Sequence, residues 1–90
     1  MTNTTSYNTV NDLANAGEGS IQQYVAMSRD FAEKARNIKD NNPDSFMLKM
    51  SCQEVIEAAK KAQSADCDYT AYINAHKAEG WLGKMANMNF

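Results

Sequence analysis

The chain has 90 residues, of which 43% are hydrophobic and 22% charged, and its formal net charge is −2. This length fits one small domain, and the apolar share is too high for a disordered protein. Acidic and basic residues are spread evenly along the chain. No basic face is therefore expected, which disfavours nucleic-acid binding through phosphate contacts and membrane binding through a polybasic patch.

The kind of apolar residue favours helices. Alanine and methionine are abundant, whereas runs of β-branched residues are missing. Straight-chain residues lose little side-chain freedom in a helix, and strands favour β-branched ones. The apolar runs are too short to span a bilayer, and the N-terminus lacks the pattern of a cleaved signal peptide. We expect an all-α protein that is cytoplasmic or is exported without a cleaved signal peptide.

Residues 1–19 are expected to form a flexible arm with at most a short helix. The first nine residues are almost wholly polar and cannot bury enough surface to offset their ordering entropy. Val10 and Leu13 could support one or two helical turns, capped by Asn8 or Thr9. We expect such a helix to be only loosely attached.

Two glycines, Gly17 and Gly19, separate this arm from the first long helix, which is expected at about 20–40 in a single domain spanning 20–90. Ser20 is a suitable N-cap. The apolar positions then recur at alternating steps of three and four: Ile21, Tyr24, Ser28, Phe31, Ala35 and Ile38. The glycines predict a hinge. An anion-binding loop is the weaker alternative, because a phosphate-loop lysine and a preceding strand are missing.

The only proline, Pro43, marks the turn around which the predicted helices are arranged. Proline disfavours helical geometry at the preceding residue, so the first long helix should end by Asn41 or Asn42. Asp44 and Ser45 follow, and both can cap the next helix. The sequence predicts a helical hairpin around Pro43.

The second arm of the hairpin is expected at about 44–65. Asp66 interrupts its apolar stripe, and we expect a break there, with Asp66 or Asp68 capping a third helix at about 68–88. The alternative is one continuous helix in which Asp66 is a single polar residue within the apolar stripe. The predicted fold is thus a small three-helix domain preceded by a flexible arm.

The chain has more large apolar residues than such a small domain can bury. The first turns of the second arm are apolar on more than one side, and one neighbouring helix cannot cover them. Methionine and aromatic side chains form adaptable contact surfaces when they are exposed. The expected protein-interface residues are Phe46, Met47, Met50, Trp81, Met85 and Phe90.

No residue pattern indicates catalysis, a metal or a cofactor. His76 is the only histidine, no cysteine lies within a helical turn of it, and we interpret it as a half-buried packing residue. Cys52 and Cys67 do not match a zinc spacing and are interpreted as small buried or half-buried residues, with a disulfide as the alternative. We predict that the protein is not an enzyme.

Short motifs in the second half of the chain resemble those of a known protein family. Asn42-Pro43 is followed by Phe46-Met47-Leu48, by Tyr72-Ile73-Asn74 and by the terminal segment 84–90. At the level of layout, roughly residues 30–90 resemble the needle and inner-rod subunits of bacterial type III secretion systems. The interval from Pro43 to Tyr72 is longer than in that family. The resemblance implies a filament subunit whose interface residues pack against neighbouring subunits.

The functional expectation is a non-enzymatic helical interaction protein that self-assembles or binds a protein partner. The resemblance points to a secretion-apparatus filament subunit. The alternative is a small phage- or plasmid-encoded inhibitor or regulator that binds a larger protein complex, which small size, acidity and helical content all permit. Either role makes the chain an oligomer or a subunit of a complex.

Overall fold

The computed structural model describes residues 9–17 and 19–87, and this part of the chain is all-helical, as predicted. It contains four helices: α1 (Val10–Asn15), α2 (Ile21–Asn41), α3 (Phe46–Gln63) and α4 (Asp68–Ala86). The principal extents of the molecule are 44 × 28 × 17 Å. No helix in the described ranges is both long and apolar enough to cross a membrane.

Helix α1 is packed against α4 and differs from the loosely attached helix that the sequence predicts. Thr9 caps it, since the Thr9 hydroxyl oxygen accepts a 3.0 Å hydrogen bond from the backbone N–H of Asp12. Val10 and Leu13 are fully buried. The rest of the expected arm at residues 1–8 lies outside the described residues.

Helix α2 begins and ends where the sequence predicts. Ser20 and Gln23 form a capping box: the Gln23 N–H donates to the Ser20 hydroxyl oxygen at 3.3 Å, and the Ser20 N–H donates to the Gln23 side chain at 3.0 Å. The helix stops at Asn41, one residue before the C-cap Asn42, which itself precedes Pro43. The side-chain amide of Asn42 donates to the backbone oxygen of Ile38 at 2.9 Å and satisfies one of the last carbonyls.

The hairpin around Pro43 is confirmed, with α3 beginning two residues later than expected. Ser45 is its N-cap and accepts a 3.2 Å hydrogen bond from the backbone N–H of Leu48. The break near Asp66 is also confirmed, because α3 ends at Gln63. Cys67, and neither of the predicted aspartates, occupies the N-cap position of α4, and its side chain forms no capping hydrogen bond.

Helices α2, α3 and α4 all pack against one another and form a three-helix bundle, with short connections of four residues between consecutive helices. Sixteen apolar residues are buried within the described ranges, and half of them are alanines, which lets the helix axes approach closely. These residues come from all four helices: Val10, Leu13, Tyr24, Phe31, Ala32, Ala35, Leu48, Cys52, Val55, Ala58, Ala59, Ala62, Ala71, Ala75, Ala78 and Met85.

Candidate protein-interaction surface

Three large apolar side chains are exposed together at the start of α3. Phe46 is 71% exposed, Met47 64% and Met50 52%. Met50 lies three and four positions after the other two, so the three side chains are neighbours on one face of the helix. Leu48, on the opposite side, is fully buried. We call Phe46, Met47 and Met50 the apolar patch.

The apolar patch has charged residues of both signs at its border. Lys49 follows Phe46 by three positions, and Glu54 follows Met50 by four, so each is a helical neighbour of a patch residue. Both charged side chains are exposed, and neither forms an ion pair in the described part of the chain. The border is therefore available to charges on another molecule.

Trp81, another predicted interface residue, is half-buried on α4. Its ring packs partly against the core, and the Lys84 ammonium lies 4.4 Å from the ring centroid. Trp81 also lines a shallow groove between α3 and α4 together with Glu54 and Ala58. Glu54 lies one helical turn beyond Met50, so this groove begins close to the apolar patch.

Met85, another predicted interface residue, does not add to the exposed surface. Met85 is 0% exposed and belongs to the hydrophobic core. In this conformation Met85 therefore supports the fold and is not accessible to a second molecule. Phe90 lies outside the described residues.

The residues considered for catalysis or metal binding are dispersed. His76 is exposed, against the half-buried position expected, and its ring lies 5.9 Å from that of Tyr72. Within the described part of the chain, no three His, Cys, Asp or Glu side chains are close enough to hold one metal ion together. The two cysteines, Cys52 and Cys67, are free thiols, so they do not form the alternative disulfide.

The two thiols have opposite environments. Cys52 is buried, as expected, and burial raises its pKa. Cys67 is exposed, against expectation, and its sulfur lies 3.3 Å from the hydroxyl oxygen of Thr70. This hydrogen bond lowers the pKa of the Cys67 thiol because it favours the thiolate.

Sequence reasoning missed the contacts that hold α1. The Glu79 carboxylate accepts a 3.2 Å hydrogen bond from the backbone N–H of Val10, and the Tyr72 hydroxyl donates to the Asn11 side chain. These partners are separated by 69 and 61 positions, so no local pattern reveals them. The only sequence feature that bears on these contacts is the spacing of Tyr72 and Glu79. They lie two helical turns apart and therefore on the same face of α4.

Comparison of the chain with known proteins gives no match among family models, curated proteins or solved structures.

Proposed function

We propose that the chain is a non-enzymatic helical interaction protein that associates with a second copy of itself through the apolar patch. The supporting observation is the exposure of Phe46, Met47 and Met50 side by side on α3. Exposed apolar side chains scattered singly are ordinary, but adjacent ones that are all more than half exposed are typical of interaction sites.

The composition of the apolar patch and its border supports self-association. A twofold contact places the same surface on both copies, so that surface must complement itself. The apolar patch meets this requirement, because burial of apolar area against apolar area is favourable and has no directional demand. Lys49 and Glu54 carry opposite charges, so a twofold arrangement can bring Lys49 of one copy near Glu54 of the other.

The area of the patch limits the strength of the contact. Its three side chains expose roughly 400 Å² in total, whereas a stable interface buries about 800 Å² on each partner. The half-buried Trp81 and the neighbouring groove can enlarge the contact. We expect weak association that depends on protein concentration.

The resemblance to secretion-filament subunits adds a further requirement. A twofold contact closes at two copies, whereas a growing filament needs two different surfaces on each copy. The apolar patch alone supports a dimer. The filament role is a proposal that needs a second contact surface, and the molar mass of the assembly separates the two cases.

Light scattering after size-exclusion chromatography tests the proposal at two concentrations a hundredfold apart. We expect the mass of the wild-type chain to rise towards that of a dimer at the higher concentration. The triple variant Phe46→Ser/Met47→Ser/Met50→Ser should stay monomeric. Its matched control is Tyr69→Ser, which removes an aromatic side chain that is 69% exposed on α4, outside the apolar patch.

The control variant should associate as the wild type does. A wild-type chain that is monomeric at both concentrations contradicts self-association, and so does a triple variant that associates equally well. In the first case, capture of one stoichiometric foreign protein through the same three residues would favour the inhibitor or regulator role. Continued growth of the mass beyond two copies would favour the filament.

A further inference from the structure

A groove with cationic walls runs between α2 and α3, beyond the first turns of α3 that carry the apolar patch. Its volume is about 400 Å³. Arg29 and Arg36 line it from α2, and Lys60 lines it from α3. We call this feature the basic groove. It stands out because the chain as a whole has a net charge of −2.

The three cations have no partner inside the described part of the chain. The ion pairs found there join Lys34 to Asp30 and Lys39 to Asp40, and neither involves a cation of the basic groove. Glu33 also lines the groove and likewise forms no ion pair. The groove therefore combines three free positive charges with one negative charge.

Apolar residues form the base of the groove. Ala32 and Ala59 are buried, and their small side chains leave the space between the two helices open. Ile56 is half-buried and packs against the core at the same place. An occupant with one apolar side can bury area there while its polar side meets the charged walls.

We infer that the basic groove binds an acidic amphipathic helix of another protein. Arg29 and Arg36 are seven residues apart on α2, which places them two helical turns, or about 10.5 Å, from each other along the axis. Acidic residues seven positions apart on a partner helix have the same spacing. Lys60 on the opposite wall meets a third carboxylate, and an apolar residue of the partner rests on Ile56.

Glu33 gives the site its selectivity. It lies between Arg29 and Arg36 along α2, so a partner must place a neutral or basic residue opposite it. A uniformly anionic ligand, such as a nucleic-acid backbone, meets repulsion at this point and finds only three cations. The charge pattern therefore favours a helix with spaced acidic residues.

The test uses a fluorescently labelled synthetic peptide of about five helical turns. One of its faces carries glutamates seven positions apart with leucines between them, and lysine opposes Glu33. We expect fluorescence anisotropy to show saturable binding to the full chain, and higher salt should weaken it because exposed charges are screened. The variant Arg29→Gln/Arg36→Gln/Lys60→Gln should bind at least tenfold more weakly.

The matched control is Lys61→Gln/Lys77→Gln/Lys84→Gln, which removes the same charge from residues outside the basic groove. Its affinity should change less than threefold. All six residues are exposed, so both variants should fold, and circular dichroism checks this. Equal weakening in both variants overturns the inference, as does absence of saturable binding. Equal binding of a scrambled peptide of the same composition also overturns it.

Discussion

The hydroxyl of Tyr72 donates a 2.8 Å hydrogen bond to Oδ1 of Asn11, which joins α4 to α1 across 61 positions of the chain. On either side of Asn11 the attachment is apolar, because Val10 and Leu13 are fully buried. The carboxylate of Glu79 adds a hydrogen bond to the first N–H of α1, a group that has no partner within the helix. Helix α1 is thus a docked part of the fold.

Replacement of Leu13 tests this docking. We expect Leu13→Ala to lower the free energy of unfolding by about 2–4 kcal/mol, because it removes buried apolar atoms and leaves a cavity. Urea unfolding followed by circular dichroism measures the change. Asn15→Ala, at an exposed position of the same helix, is the control and should stay within about 0.5 kcal/mol of the wild type. Equal stability of both variants would show that α1 contributes nothing to the fold.

Substitution of two glycines, Gly19 and Gly80, should change the stability of the protein in opposite directions. A Cβ atom at Gly19 would overlap the buried ring and hydroxyl of Tyr24, whereas one at Gly80 would meet nothing within 4 Å. We expect Gly19→Ala to destabilise the protein by about 1–3 kcal/mol, because Tyr24 must move. Gly80→Ala should stabilise it by about 0.5–1 kcal/mol, since alanine is the better helix former in the interior of α4.

Thermal or urea unfolding of both glycine variants provides the measurement. Opposite signs support the close approach of Gly19 to Tyr24. Stabilisation by both substitutions would mean that the backbone near Gly19 has room for a side chain and that Tyr24 is not fixed by it.

The helix ends were predictable from the sequence because their causes are local. Ser20 precedes its own capped N–H groups by a few residues, and Pro43 acts on the residue next to it. The N-cap of α4 was mispredicted, because the aspartates at 66 and 68 are stronger capping residues than Cys67. Capping preferences alone could not identify the residue that adopts the extended backbone conformation of an N-cap. In the structure this residue is Cys67.

The burial of individual residues was less predictable. Met47 and Met85 are chemically identical, but Met47 is 64% exposed and Met85 0%. Apolar residues of α4 surround much of the helix, so their periodicity does not single out one buried face. The docking of α1 and the basic groove depend on residues from different helices. The sequence therefore predicted the patch on α3 but not these two features.

The two cysteines should differ in reactivity with iodoacetamide. A lowered pKa increases the thiolate fraction at a given pH, so the alkylation rate of Cys67 should reach half its maximum at a lower pH than an ordinary thiol. Thr70→Val removes the hydroxyl and should move this midpoint to higher pH. Cys52 is buried with a raised pKa and should react only when the protein unfolds. Peptide mapping by mass spectrometry follows both sites.

Ser64→Ala is the control for the thiol experiment. It removes a hydroxyl from the connection between α3 and α4 that contains Cys67, but that hydroxyl donates to the backbone oxygen of Lys60 and not to Cys67. The alkylation midpoint of Cys67 should stay unchanged in this variant. Equal shifts in both variants would contradict the role of Thr70, and rapid alkylation of Cys52 in the folded protein would contradict its burial.

The methionines at 50 and 85 separate the contribution of a side chain to the fold from its contribution to assembly. Met85→Ala should lower the free energy of unfolding by about 2–5 kcal/mol, because Met85 is fully buried. Met50→Ala should change it by less than about 0.5 kcal/mol in dilute, monomeric protein, because Met50 is 52% exposed. The same Met50 substitution should weaken self-association at high concentration, since it removes part of the apolar patch. Urea unfolding at low concentration measures the effect on stability, and light scattering at high concentration measures the effect on self-association. A stability loss in Met50→Ala as large as that in Met85→Ala would place Met50 in the core of the monomer.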